Sequence, residues 1–231
     1  MTTDIFIRSY EKDFKWLSYA LRSIHKYVTG YQQVIVAVPQ GQGHLLSHLT
    51  AERVIEVPDL PNGYIGQQLT KMTAWAYTNA DAILYWDSDT VAMEPVDIAQ
   101  EFLYHGKPII YCTPWDKVGD AICWKACTEE ALGAPAEFEY MRRLPLLYLR
   151  DTVGDCCAYI ERTVGRSLVP YMNSIDRFSE FNALGAFAHK FQWRDYEFRN
   201  TDQHTPPPPK IQQFWSWGGI THDVLTKLSK I

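Results

Sequence analysis

Along the first half of the chain, apolar runs of strand length alternate with stretches whose apolar positions recur every three or four residues. The run DIFIR at 4–8 predicts a strand, and Leu17, Leu21, Ile24 and Val28 mark the inward face of a helix after it. VIVAV at 34–38 reads as a buried strand stopped by Pro39, HLLSHL at 44–49 as a short helix, and RVIEV at 53–57 as a third strand stopped by Pro58. A longer helix is predicted over 64–79 with Leu69, Met72 and Ala76 inward, followed by a fourth strand, AILYW, at 82–86. Strands that are apolar at nearly every residue have no face to give to water. This β-α-β-α order therefore predicts an α/β fold with a mainly parallel central sheet and helices on both faces.

After PIIYC at 108–112 the alternation fades, and the stretch 114–150, rich in Trp, Arg and Pro, yields no clear element. A helix is predicted over 152–166, ended near Gly165, and another from about Ser179 with Phe181, Leu184, Phe187 and Ala188 inward. The tract TDQHTPPPPK at 201–210 must be extended, because its prolines exclude helix. A short helix follows Gly218 and Gly219. No internal repeat or long linker divides the chain, so 1–231 reads as one domain.

The net charge of −5 weighs against a general nucleic-acid surface. Five cysteines are an odd set with poor zinc spacing, and they read as reduced thiols. The opening MTTDIFIRSYEKD is charged early, and no apolar run reaches the ~20 residues that span a bilayer. A cytoplasmic protein without a membrane span is expected. Eight Trp and fourteen Tyr leave rings to spare for stacking on a sugar or a base.

The chemistry concentrates where the fourth strand ends, in WDSDT. Asp87 and Asp89 are two apart, so in an extended chain both carboxylates point to one side. Like charges so placed call for a cation, and hard oxygens suit Mg²⁺ or Mn²⁺. Such an ion neutralises a departing diphosphate. Asp-Ser-Asp-Thr is equally good turn chemistry. In open parallel sheets, ligands bind beyond the carboxyl ends of the strands, where Arg8, Ser9, Tyr10, Pro39, Asp59 and Asp87 fall. Gln67 and Lys71, four apart, share a helical face; a solvated lysine is the competing reading for Lys71. Glu180, an acid in the first turn of a late helix beside Phe178 and Phe181, suits a general base, though it is also ordinary capping chemistry. Asp155 is the reserve. PQGQGHLL at 39–46 puts Leu46 at the third glycine position of a dinucleotide fingerprint, and no phosphate loop, HExxH or GxSxG motif is present.

Two segments, DIFIRSYEKDFKWLSYALRSI and QQLTKMTAWAYTNADAILYWDSDTVAMEPV, resemble the first strand and helix and the DxD region of GT-A fold glycosyltransferases. With SEFNALGAFA and FWSWGGIT, the chain is similar to small bacterial and phage glycosyltransferase-like proteins over roughly its first 110 residues, and in patches beyond. The resemblance implies a nucleotide-sugar-binding half at 1–112 and an acceptor half with a C-terminal lid at 113–231. It implies a UDP-sugar donor, a Mn²⁺ or Mg²⁺ cofactor, and an acceptor hydroxyl on a glycan (a surface polysaccharide or a lipid-linked sugar), on a protein or on a hydroxylated base of phage DNA. Asp87 and Asp89 take the place of the DxD pair, with Asp89 on the metal; Arg8, Ser9, Tyr10, Asp59, Gln67, Lys71, Asp87 and Ser88 face the donor, Tyr10 stacking on the base. Glu180 takes the place of the base. A histidine near the C-terminus, His222 or His204 with His222 preferred, is the expected third metal ligand. Trp217, with Trp215, is expected to close over the donor or to pack in the core. Arg142, Arg143 and Arg150 form either a basic strip on the acceptor side or a solvated face. A sugar nucleotidyltransferase and a non-catalytic carbohydrate-binding protein are the alternatives.

Overall fold

Two strands buried over their whole length form the centre of the molecule: β1 (Thr3–Arg8) and, after helix α1 (Phe14–Tyr27), β2 (Val34–Pro39). A computed structural model describes residues 1–231 apart from Arg143, Pro208 and Lys230. The chain continues through β3 (Arg53–Val57), α2 (Gly63–Met72), β4 (Ala82–Asp87), β5 (Thr90–Ala92), β6 (Lys107–Pro114), α3 (Cys123–Leu132), β7 (Phe138–Glu139) and β8 (Leu146–Leu149). It then forms α4 (Arg150–Val164), α5 (Glu180–Phe191), β9 (Glu197–Asn200), β10 (Ile211–Gln213) and α6 (His222–Leu228).

The central sheet has the order β8-β4-β1-β2-β3. Its strands are parallel except β8, which runs antiparallel on β4. Alternate side chains serve opposite faces. Ile5, Ile7, Val34, Val36, Leu84 and Trp86 meet Leu17, Ala20, Leu21 and Ile24 of α1. Phe6, Ile35, Ile83 and Tyr85 meet α2, α4 and α5 on the other side. Both faces are covered, as the uninterrupted apolar strands require.

Three expectations need correction. The predicted helix 64–79 stops at Met72: the Thr73 hydroxyl bonds back to the carbonyls of Leu69 and Thr70, and a 3₁₀ turn, Ala74–Tyr77, follows. That break changes the phase of the face, and Ala76 is exposed. HLLSHL contributes to a single 3₁₀ turn, Gly43–Leu46. Strand β6 lies outside the central sheet, in a second one where β9 runs parallel and β7 antiparallel to it. The edge beside β4 is taken by β8, from a stretch with no strand predicted.

Helix α5 is apolar nearly all round and is buried from Glu180 to Ala188, as a helix enclosed by its neighbours must be. Gly185 lets it approach Tyr140, where an added Cβ would lie 2.3 Å from that residue's Cβ and 2.4 Å from its Cγ. Gly185→Ala is expected to cost about 2–3 kcal/mol through overpacking and to lower Tm by about 5–10 °C. An unchanged calorimetric melting curve would show that the helix can retreat without loss. Among the described residues, no helix is long and apolar enough to cross a membrane.

Candidate active site

The parallel strands bring their carboxyl ends to one edge of the sheet. From β1 the chain moves to β2 and β3 on one side, and only later places β4 on the other. The topological switch point therefore lies between β1 and β4, where Arg8 pairs in register with Asp87. A crevice of about 810 Å³ opens there. It is lined by the ends of β1 to β4, by α2 and the start of α5, and by Gln213, Trp215 and Ser216 from near the C-terminus. Residues from both 1–112 and 113–231 thus build one site.

The strand ends at Asp87, and Ser88 and Asp89 form a tight turn into β5, pinned by the Trp86 indole N–H, which donates to the Thr90 carbonyl at 2.7 Å. The two carboxylates converge through this turn rather than through strand alternation. Gln213 Nε2 lies 3.4 Å from Asp87 Oδ2 and 3.4 Å from Asp89 Oδ1. The backbone N–H of Ser216 donates to Asp89 Oδ2 at 2.7 Å. Burial raises the pKa of Asp89, the Ser216 N–H opposes the rise, and Asp87 adds to it. Asp13, which no sequence motif had marked, also lines the crevice; its pKa is raised by burial and by Asp89 and Asp87, against a hydrogen bond with Ser216.

Among the described residues, no three His, Cys, Asp or Glu side chains gather as a ligand set that could enclose a metal ion alone. A Mg²⁺-type site does not need three, since one or two carboxylates together with phosphate oxygens and water commonly suffice. Burial and the nearby Asp87 disfavour charge on Asp13 and Asp89, which fits a divalent cation held by Asp87 and Asp89.

Lys71, like Arg8, is a buried cation of the site. The side chain of Asn62 caps α2 by accepting from the backbone N–H groups of Tyr64 and Ile65, and this sets the face on which Gln67 and Lys71 point inward. Lys71 Nζ lies 2.8 Å from Asp87 Oδ1, 3.1 Å from Glu180 Oε1 and 4.9 Å from the centroid of the Phe181 ring. Burial alone would lower its pKa, but Asp87 and Glu180 together outweigh that and raise it. The solvated reading of Lys71 is thereby excluded. Glu180 is itself fixed by α5, whose first N–H donates to Gln68 Oε1 at 2.9 Å.

Arg8 and Ser9 lie on the crevice floor, where Arg8 Nε and Ser9 Oγ are buried without a hydrogen-bond partner. Such orphans are uncommon and invite a ligand's polar atoms. Arg8 makes a long contact to Asp59 Oδ1 at 3.5 Å. Asp59, Gln67, Ser88 and the exposed ring of Tyr10 also line the space. Tyr64 and Trp124 stack at 5.9 Å on another wall. Glu139, almost fully buried, lies 3.1 Å from Arg142 without hydrogen-bond alignment at that oxygen.

Other expected residues fall elsewhere. His222 is exposed at the first turn of α6, and His204 is exposed in the proline tract; neither lines the crevice. Asp155 is exposed on α4 and accepts from Gln192 Nε2 at 3.0 Å, away from the site. Trp215 lines the crevice, with a left-handed φ of 56°, whereas Trp217 is 85% exposed and does not. Arg142 reaches the crevice, but Arg150 donates to the carbonyls of Trp75 and Thr78 instead, and Arg143 lies outside the described residues. Of the partners missed, Gln68 had a signal: it sits three residues before Lys71 on a neighbouring helical position. Gln213 and Ser216 had none, since only the pairing of β10 with β5 brings them here.

The chain matches no protein-family model and no curated protein sequence.

Proposed function

We propose that the protein is a metal-dependent glycosyltransferase, moving a sugar from a nucleotide donor, a UDP-sugar, to a hydroxyl acceptor. The observation that supports this reading best is one juxtaposition at the switch point: the carboxylates of Asp87 and Asp89 on one side, and a buried Lys71 tying Asp87 to Glu180 on the other. A cation held by Asp87 and Asp89 would supply positive charge to the departing diphosphate.

The chain's own groups do the remaining work. Arg8 Nε and Ser9 Oγ offer hydrogen bonds to the donor, and Tyr10 and Trp215 offer rings for the base or sugar. Lys71 stays charged, fixes Asp87 beside the donor, and holds Glu180 facing the crevice. Glu180 takes the proton from the acceptor hydroxyl as the new glycosidic bond forms. Tyr64 and Trp124 give an acceptor sugar a stacking wall.

Titration calorimetry with UDP, with and without Mn²⁺, tests the reading. Binding that requires the metal is the expected result. Preference for a free nucleoside triphosphate would favour a nucleotidyltransferase, and absence of nucleotide binding would contradict both.

A further inference from the structure

A second cavity lies against the crevice, on the side of the proline tract. It holds about 620 Å³, within the range that small-ligand sites occupy. Its inner wall is apolar, with Phe102, Ile109, Leu146 and Ile211. Its outer wall is a strap containing Pro206, Pro207 and Pro209. The space opens to solvent on one side, so it is a cleft that an apolar group can enter from outside. A proline strap suits such a wall, because its backbone brings no N–H donor that would go unpaired against hydrocarbon. The polar rim is the ion pair between Lys210 and Glu101.

Two features place this cleft beside the crevice. Leu144 lines both. Strand β10 runs along both as well: Ile211 lines the cleft, and Gln213, two residues on and on the same side of the strand, reaches Asp87 and Asp89. From this adjacency we infer that the cleft holds the apolar chain of an amphiphilic acceptor, of isoprenoid or acyl type, whose polar head lies in the crevice. The inference rests on the glycosyltransferase reading and names its acceptor class. The head is a sugar hydroxyl, whose proton passes to Glu180 as the glycosidic bond forms, and the chain is what the cleft selects.

Calorimetry with octyl, decyl and dodecyl glucosides and the matching alkyl phosphates, each below its micelle concentration, tests it. Affinity is expected to rise roughly tenfold for every two carbons added, until the cleft is full. The glucosides are expected to bind better than the alkyl phosphates, because a hydroxyl and not an anion suits the carboxylate of Glu180; the reverse order would overturn the acceptor role. Ile109→Trp, which fills the cleft from β6, and Thr205→Trp, which fills it from the exposed strap, are each expected to weaken dodecyl binding at least tenfold, with Mn²⁺-dependent UDP binding unchanged. Binding without chain-length dependence, or length-dependent binding indifferent to both variants, would overturn the inference while UDP binding persists. Loss of the nucleotide site with chain binding intact would overturn the acceptor role through failure of the glycosyltransferase reading itself.

Discussion

Asp89→Asn is expected to lower sugar transfer on the order of a thousandfold while leaving the fold intact. Loss of one hard anionic ligand removes several kcal/mol of charge stabilisation from the departing diphosphate, and each ~1.4 kcal/mol is a factor of ten in rate. The fold has little to lose. An amide oxygen can still accept from the Ser216 N–H that now reaches Asp89 Oδ2 at 2.7 Å. The charge itself is disfavoured in place, since burial and Asp87 raise the pKa of Asp89 above its ordinary value. A carboxylate of that kind weakens the folded state above its unfolded pKa, so its neutral replacement leaves Tm unchanged or slightly higher. Turnover of a nucleotide sugar, followed by mass detection beside a melting curve, separates the cases. Activity within tenfold of the parent would remove Asp89 from the metal site; a fall in Tm of many degrees would make it a structural residue.

Replacement of Lys71 acts the other way, on stability first. Lys71→Met leaves Asp87 and Glu180 facing each other with no cation between them, and breaking a buried charge pair costs about 3–5 kcal/mol. For a chain of this size that is a fall in Tm of about ten degrees or more. Adding Glu180→Gln to Lys71→Met removes one of the two stranded charges and is expected to restore part of the loss, which a thermodynamic cycle measures. The pH dependence has a definite sign. The folded-state pKa of Lys71 lies above its ordinary 10.5, so its contribution is complete below that pH and fades as pH climbs through the raised value. The parent protein should therefore lose stability more steeply than Lys71→Met in that alkaline window. Equal melting temperatures for parent and variant at pH 7 would mean that Lys71 is not buried between two carboxylates.

Much of this site could be read from the sequence, because the strongest local signals coincide there. A strand buried on both faces has no polar residue until it ends, so Asp87 announced the carboxyl edge of β4, and the four-residue spacing of Gln67 and Lys71 announced a shared face. Burial was not legible in the same way. Whether Lys71 faces water or two carboxylates depends on where α5 packs, and that is decided by contacts more than a hundred residues apart, such as that of Gln68 with Glu180. Strand β8 is four residues long with a partner sixty residues earlier, and no period-2 pattern can emerge from so short a run. Thr73 ended α2 through side-chain bonds to its own helix, against an apolar pattern that continued past it. His222 was placed by resemblance rather than by spacing, and the chain's path after Gly219 leaves it exposed at the start of α6.

The most direct test is a crystal of the protein grown with Mn²⁺ and a UDP-sugar. The expected density places the ion between the Asp87 and Asp89 carboxylates and the donor's diphosphate, with Gln213 turned aside and the sugar facing Glu180. Asp89 still bonded to Ser216 and Gln213, with the nucleotide bound elsewhere or not at all, would contradict it.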